Sequence, residues 1–270
     1  MADEASGNRY DRQLIVIVPA RSHVLGLTAV KETMKRFSII VPAHNEANTI
    51  IPLLEAVRTA TAEISTVSFE VIVIDDGSRD ATRSLLLGRS ALYDHLVLLD
   101  QQHGKGGAVL KGLQRASGDY VLFQDADLEY NPQDYATLIE PVMEYGAQVV
   151  MGSRFVAPRV TRVFYFWHKM GNKFITLIFN VLHNTTFTDI YSCYLVYERQ
   201  LVPIESIRTR GWEQHGEILS RAVKGATVLY EVPVSYRGRS YAEGKKIRPA
   251  HVFRILYILV LTRIRIALSR

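Results

Sequence analysis

From Phe37 onward, strand-like and helix-like apolar patterns alternate along the chain. Phe37-Ser-Ile-Ile-Val-Pro42 is a short, nearly continuous apolar run, as expected of a strand covered on both faces. Asn48 then opens a stretch in which Ile50, Ile51, Leu53, Leu54 and Val57 recur at helical spacing. Phe69-Glu-Val-Ile-Val-Ile74 repeats the strand pattern, and Ser78 or Asp80 is placed to cap the helix after it. Further strands are predicted at 95–99, 120–123, 147–151 and 227–234. Between them, Gly104, Gly106 and Gly107 lead into a helix around 108–116, and Asn131-Pro132 supplies a cap and a first-turn proline. Such alternation with short connections predicts an α/β fold, a Rossmann-like, mostly parallel sheet sandwiched by helices. Ligands of such sheets bind beyond the carboxyl ends of the strands.

The pattern changes at 163–182. At about 100° per residue, His168, Lys169, Asn172, Lys173, Thr176 and Asn180 share one arc of roughly 140°. Val163, Phe166, Trp167, Met170, Phe174, Leu177, Ile178 and Val181 oppose them. Two readings stand: a helix packed on the sheet, or one lying in a lipid headgroup layer. Phe164-Tyr-Phe-Trp167 beside lysines is the composition of the second. The stretch 251–270 sets apolar residues between Arg254, Arg263, Arg265 and Arg270; the arginines share no single face, but their stems can snorkel. An amphipathic membrane-surface helix region is therefore expected at 160–184, and a basic apolar helix in contact with the same surface at 249–270. No run reaches the roughly 18 apolar residues of a membrane span. Residues 1–36 are read as an N-terminal extension; 14–20 partly echoes 39–43, which leaves an extra edge strand as the alternative.

Composition bears on partners more than on fold. With 32 Lys+Arg against 27 Asp+Glu the net charge is +5, which suits an anionic partner. Basic residues are not gathered in one stripe and no recognition module is present, so nucleic acid is not expected. The single cysteine, Cys193, excludes an intrachain disulfide and a CxxC zinc site, and is expected to be buried in a protein of a reducing compartment. Asp3 and Glu4 precede any basic residue, unlike the start of a signal peptide.

Acids terminate two predicted strands: Asp75-Asp76-Gly77-Ser78, and Asp125-Ala126-Asp127 with Glu129 beyond. Alternate residues of an extended segment point the same way, so Asp125 and Asp127 can face one bound ion. Carboxylates side by side repel unless a cation or a hydrogen-bond donor compensates, and Mg²⁺ and Mn²⁺ take oxygen ligands. Gly104-Lys105-Gly106-Gly107 fits neither the P-loop nor the dinucleotide fingerprint. It either brings backbone close to a ligand, with Lys105 adding charge, or is a strand-to-helix turn. Basic groups follow other strands: Arg154 in Gly152-Ser153-Arg154, and Arg239 to Lys245-Lys246 after 227–234. Arginine forks and lysine point charges both hold phosphate. Acids on one side and a cationic cradle on the other suit a reaction between two phosphorylated substrates.

Taken in order, Val41-Pro-Ala-His-Asn-Glu46, Val73-Ile-Asp-Asp-Gly-Ser78, Gly104-Lys-Gly-Gly107, Asp125-Ala-Asp127, Gly152-Ser-Arg154 and Arg239-Ser-Tyr-Ala-Glu-Gly-Lys245 resemble the motifs of family 2 glycosyltransferases. The likeness spans about 37–248 and is greatest to the polyprenyl-phosphate branch, the dolichol-phosphate mannose synthases and bactoprenol-phosphate glucosyltransferases. It implies a GT-A fold, an inverting hexosyl transfer and a divalent cation, Mg²⁺ or Mn²⁺. It also implies a nucleotide-sugar donor of the GDP-mannose or UDP-glucose type and a polyprenyl-phosphate acceptor at the cytoplasmic membrane face. Carried over by position, Pro42, His44, Glu46, Ile74 and Asp76 line the nucleoside pocket, with Lys105, Asp125 and Ala126 beside the diphosphate. Asp127 becomes the chief metal ligand, with Asp125 and Glu129 near it. Arg154, Arg239 and Lys245 meet the donor diphosphate or the acceptor phosphate. His44 stands where relatives usually carry an aromatic residue, and Glu129 where they often carry glutamine. A lipid phosphate is already nucleophilic, so no dedicated base is required. Two alternatives remain: a family member acting on a glycan or protein hydroxyl, with a base in Trp212-Glu213-Gln214-His215, or a non-catalytic nucleotide-sugar-binding module.

Overall fold

The computed structural model describes residues 34–156, 163, 165–238 and 251–268. The extension at 1–33 therefore lies outside the described residues, as do Arg239 and Lys245. Seven strands form one sheet in the order β3-β2-β1-β4-β6-β5-β7. They are β1 (Arg36–Ala43), β2 (Ser68–Asp75), β3 (His95–Leu98), β4 (Tyr120–Phe123), β5 (Val149–Ser153), β6 (Leu195–Glu198) and β7 (Leu229–Pro233). β1 runs parallel to both β2 and β4, with Phe37 opposite Phe69 on one side and Tyr120 on the other. Phe37, Ile39, Ile40 and Val41 are wholly buried, as a strand covered on both faces requires.

Helices cover the sheet. α1 (Ile50–Glu63) buries four of the five apolar positions expected of it, Ile50, Leu53, Leu54 and Val57, and adds Ala60, while Ile51 is partly buried. Asp80 accepts the Thr82 N–H at 2.9 Å just before α2 (Thr82–Leu87). α3 (Lys105–Arg115) packs so tightly that a Cβ on Gly112 would lie 2.6 Å from Ile40 Cγ2 and 2.7 Å from Ile74 Cδ1. Asn131 caps the 3-10 turn Pro132–Asp134 ahead of α4 (Tyr135–Glu144), accepting the Gln133 N–H at 3.2 Å. β6 departs from the sequence expectation. It runs antiparallel between β4 and β5, where no strand was predicted. α6 (Gln214–Gly225) was not predicted either.

α5 (Phe166–His183) reverses the usual polarity of a surface helix. Its inward side is mixed, with Ile175, Thr176 and Phe179 buried and His168 and Asn172 partly so. Its outward side is apolar: Phe166, Trp167, Met170, Phe174, Leu177 and Val181 are between 43% and 79% exposed. Packing of the apolar face on the sheet is thus not what happens. α7 (His251–Leu268) lies against α5 and α6 and buries Ile255, Leu259, Thr262 and Ile266. Phe253, Tyr257, Val260, Ile264 and Leu268, spaced by three or four residues, form an exposed apolar stripe on it. Arg263 joins the two helices, its Nε donating to the Leu182 carbonyl at 2.8 Å near the end of α5.

Candidate active site

The carboxyl end of β4 is held by a buried polar network. Gln124 is wholly buried; its Oε1 accepts the hydroxyls of Tyr135 (2.8 Å) and Tyr194 (2.9 Å), and its Nε2 donates to the Asp125 carbonyl at 3.0 Å. The chain therefore leaves the sheet in a fixed direction. Asp125, Ala126, Asp127 and Glu129 then line one cleft of about 760 Å³. Between the last two carboxylates Leu128 adopts φ 59°, a left-handed conformation that bulky side chains rarely take. The Glu129 N–H reaches back to Asp127 Oδ1 at 3.1 Å and closes the turn.

Lys105, at the start of α3, puts its Nζ 2.5 Å from Asp125 Oδ1 and 5.2 Å from the centre of the Trp212 ring. Burial alone would lower the lysine pKa, but Asp125 holds it above its ordinary value. Burial likewise opposes the charge on Asp125, and Lys105 holds that carboxyl below its usual range. Cys193 lines the same cleft, its backbone N–H donating to the Tyr130 hydroxyl oxygen at 3.1 Å. Burial pushes the thiol well above its ordinary pKa, so Cys193 is a poor nucleophile.

Asp76, at the end of β2, accepts the backbone N–H groups of His103 (2.7 Å) and Gly104 (2.8 Å), fixing the glycine loop to the sheet. His44 Nδ1 donates to the Asp76 carbonyl at 2.7 Å, which leaves its Nε2 to accept from the Asn45 amide at 3.2 Å. Pro42, His44, Glu46 and Asp76 all line the cleft. Ile74 does not: it is wholly buried within β2, its Cδ1 facing Gly112 of α3, whereas Asp76 stands just past the strand end.

The segment that presses on the glycine loop is protein. The Gly107 N–H donates to the Arg210 carbonyl at 3.1 Å, and a Cβ on Gly106 would stand 2.5 Å from the Arg210 carbonyl atoms. Gly106 thus admits the 210–212 backbone that brings Trp212 over Lys105. We expect Gly106→Ala to destabilise the fold by about 1–3 kcal/mol through this overpacking. A lowered urea midpoint together with altered tryptophan fluorescence checks it.

Arg154 lines the cleft, yet its fork is already engaged. Its Nε and Nη2 donate to Asp189 at 2.6 and 2.9 Å, and Nη2 also reaches the Tyr191 carbonyl at 3.2 Å. The Tyr236 ring centre lies 5.1 Å from its guanidinium carbon. Tyr236 donates its hydroxyl to Glu129 at 2.8 Å. Arg154 and Glu129 are therefore drawn together through Tyr236. Asp189, Tyr191, Tyr236 and Gln124 were not singled out in the sequence; a polar Thr-Asp beside the apolar run into β6 was the available signal.

Among the described residues, Asp125, Asp127 and Glu129 do not form a ready-made three-ligand cluster. The reason is local: Asp125 turns to Lys105 and Glu129 to Tyr236. The residues nonetheless fit a hard divalent ion. The Asp125 carboxylate, 20% exposed and already paired with the Lys105 ammonium, shows that the pocket accommodates positive charge. Mg²⁺ in particular uses one or two carboxylates completed by substrate phosphates and water.

The Trp212–His215 region offers little to a proton acceptor. Glu213 is buried and pairs with Arg254 Nε at 3.0 Å, and it does not line the cleft. His215 does line it, and its Nε2 is buried with no hydrogen-bond partner. Burial, then Lys105, pulls the His215 pKa from 6.5 down to about 4, and burial with Arg263 does the same to His183. Both stay neutral in the fold while the unfolded chain gains protons below pH 6.5. Stability is thus intact above pH 6.5 and lost as pH falls toward 4, by at most about 1.4 kcal/mol per pH unit for each site. The melting temperature is expected to fall across that window, and His183→Gln with His215→Gln to flatten the fall.

Comparison with known proteins identifies the family and the fold. The family model described as Glycosyl transferase family 2 matches residues 38–202. The chain is 30% identical over 178 residues to undecaprenyl-phosphate 4-deoxy-4-formamido-L-arabinose transferases of Yersinia pestis and Yersinia pseudotuberculosis, covering 64% of this chain and 52% of theirs. It thus spans about half the length of the curated relatives it matches. Glucosyl-3-phosphoglycerate synthase from Mycobacterium tuberculosis, in complex with Mn²⁺, UDP and glucosyl-3-phosphoglycerate, superposes with a TM-score of 0.61 at 20% identity. That match covers 84% of this chain and 80% of the other. The same enzyme with Mn²⁺, UDP-glucose and phosphoglyceric acid gives 0.59 at 20% identity, over 85% and 80%. The shared fold is GT-A, as the sequence motifs implied.

Proposed function

This chain belongs to glycosyl transferase family 2, and from that membership we propose that it transfers a hexose, with inversion, to a polyprenyl or dolichyl phosphate. The donor is a nucleotide sugar of the GDP-mannose or UDP-glucose type, and the reaction runs at the cytoplasmic face of a membrane to which the chain binds peripherally. One observation carries this reading. The acid-lined cleft is also lined by Trp167 and Phe253, each 79% exposed, at the edges of the outward apolar faces of α5 and α7. A nucleotide entering such a site meets carboxylates and lysine, while a lipid tail meets apolar side chains. The arrangement suits an acceptor that is anionic at one end and greasy at the other.

In this reading Asp125 and Asp127, with Glu129 adjoining, would hold Mg²⁺ or Mn²⁺. The bound ion neutralises charge on the departing nucleoside diphosphate. Pro42, His44, Glu46 and Asp76 form the wall against which the nucleoside rests, and the Asp76-anchored loop sets the position of Lys105. Lys105 adds positive charge where the diphosphate leaves. Arg154, held rigid by Asp189, lends field to the opposite wall. Arg239 and Lys245 are assigned to the acceptor phosphate, offsetting repulsion between two anions. Ile175, buried in the cleft wall, helps keep water from the reacting centre. The acceptor phosphate brings its own nucleophilic oxygen. A neutral His215 and a paired Glu213 therefore suffice, whereas a hydroxyl acceptor would need a stronger base.

The test is transfer from a panel of nucleotide sugars, with Mn²⁺, to short polyprenyl phosphates. A sugar-labelled product extracted into organic solvent is expected. Transfer to free glycans or peptides instead would establish the hydroxyl-acceptor alternative, and neither transfer nor donor hydrolysis would leave a binding module.

A further inference from the structure

A second cavity, of about 600 Å³, is lined by Ser206, Arg208, Arg221 and Arg265, none of which lines the acidic cleft. Its three guanidinium groups come from three places: the loop ahead of α6, α6 itself, and the last turns of α7. One carboxylate organises them. Glu217 is wholly buried and accepts Arg221 Nη2 at 2.9 Å, the Arg208 N–H at 3.1 Å, and the Thr209 N–H and hydroxyl at 2.9 and 2.6 Å. These bonds hold the Glu217 carboxyl below its usual range although burial alone would raise it. Its single negative charge is thereby committed to Arg221 and the loop backbone. The Arg208 and Arg265 side chains have no carboxylate partner among the described residues. Two like charges facing one cavity repel, and an anion between them removes that cost.

The cavity also has a defined neighbour. Arg265 sits between Ile264, 50% exposed, and Leu268, 80% exposed, at the end of the outward apolar stripe of α7. A phosphate bound there would stand where an apolar surface meets a cationic pocket. Guanidinium groups suit that ligand because their forks take phosphate oxygens bidentately.

We propose that Arg208, Arg221 and Arg265 form a binding site for a phosphate group, separate from the reaction cleft, and that an anionic lipid headgroup presents it. The site would fix the chain on the membrane in one orientation. The lipid source rests on the peripheral-membrane reading above; the anion site itself does not.

The experiment compares the full chain with Arg208→Gln and Arg265→Gln, both exposed positions, and with the distant exposed Arg89→Gln as control. Binding is measured to vesicles of phosphatidylcholine alone and of phosphatidylcholine with phosphatidylglycerol. Melting is followed with inorganic phosphate against chloride at equal ionic strength. Expected is tighter binding to the anionic vesicles, reduced about five-fold by each site variant, with the control unchanged. Loss of the phosphate-induced melting shift in the site variants, without vesicle binding by any form, would keep the anion site and remove the lipid as its source. An equal loss in Arg89→Gln would show diffuse surface charge and overturn the proposal. So would phosphate and vesicle responses that neither site variant alters.

Discussion

Replacing Asp127 with alanine is expected to lower kcat for sugar transfer by about 10²–10³-fold, the usual cost of removing one group that stabilises charge in the transition state. The fold should survive. Asp127 is at a turn rather than in the core, and the hydrogen bond it accepts from the Glu129 N–H is worth about 1 kcal/mol. Asp125→Ala is a less clean experiment, because it strands the Lys105 ammonium against Trp212. Turnover measured over a Mn²⁺ titration, alongside a melting curve, separates the two effects. An Asp127→Ala protein that transfers sugar at the parental rate without metal would remove the carboxylate cluster from the mechanism.

Trp167→Ser and Phe253→Ser should each weaken binding to lipid vesicles roughly ten- to a hundred-fold, from the 1.5–3 kcal/mol that burying such a ring contributes. Neither change should reduce stability, since both side chains are 79% exposed in the folded chain. That opposition is the useful part. Core residues lose stability when truncated, whereas a lipid-facing ring loses only partitioning. Co-sedimentation with vesicles and urea midpoints on the same samples give both quantities. Unchanged vesicle binding by the double variant would detach α5 and α7 from the membrane.

The sheet was largely legible because its strands are apolar runs closed by acids or glycines. β1, β2 and β4 lie within a residue of where the pattern put them at either end. β6 was missed although Cys193-Tyr-Leu-Val-Tyr197 is as apolar as its neighbours. It follows α5 and a polar turn rather than a β-α unit, so alternation gave no cue. Acids at strand ends pointed to Asp76, Asp125 and Asp127. Their partners could not be read locally. Gln124 and Asp189 act through tyrosines and an arginine that are distant in the chain, and a close approach such as Gly106 to Arg210 has no short-range signature. Ile74 was expected in the cleft wall but lies inside the sheet under α3, and only Asp76, just past the end of β2, reaches the cleft. The glycine loop, whose alternatives were a ligand cradle and a simple turn, meets a third partner in the 210–212 backbone.

Leu128 is a place where the backbone and its side chain disagree. Its backbone, at φ 59°, is held against its own preference at the point where the chain swings one carboxylate past the next. Asparagine tolerates that conformation better, and Leu128 is 39% exposed, so little packing would be lost on exchange. Leu128→Asn is accordingly expected to hold or raise the melting temperature while keeping the turn, and with it the positions of Asp127 and Glu129, as they are. Endurance and the placing of the acids are thus separable at this turn, because a residue at ease in the left-handed conformation improves the first without disturbing the second.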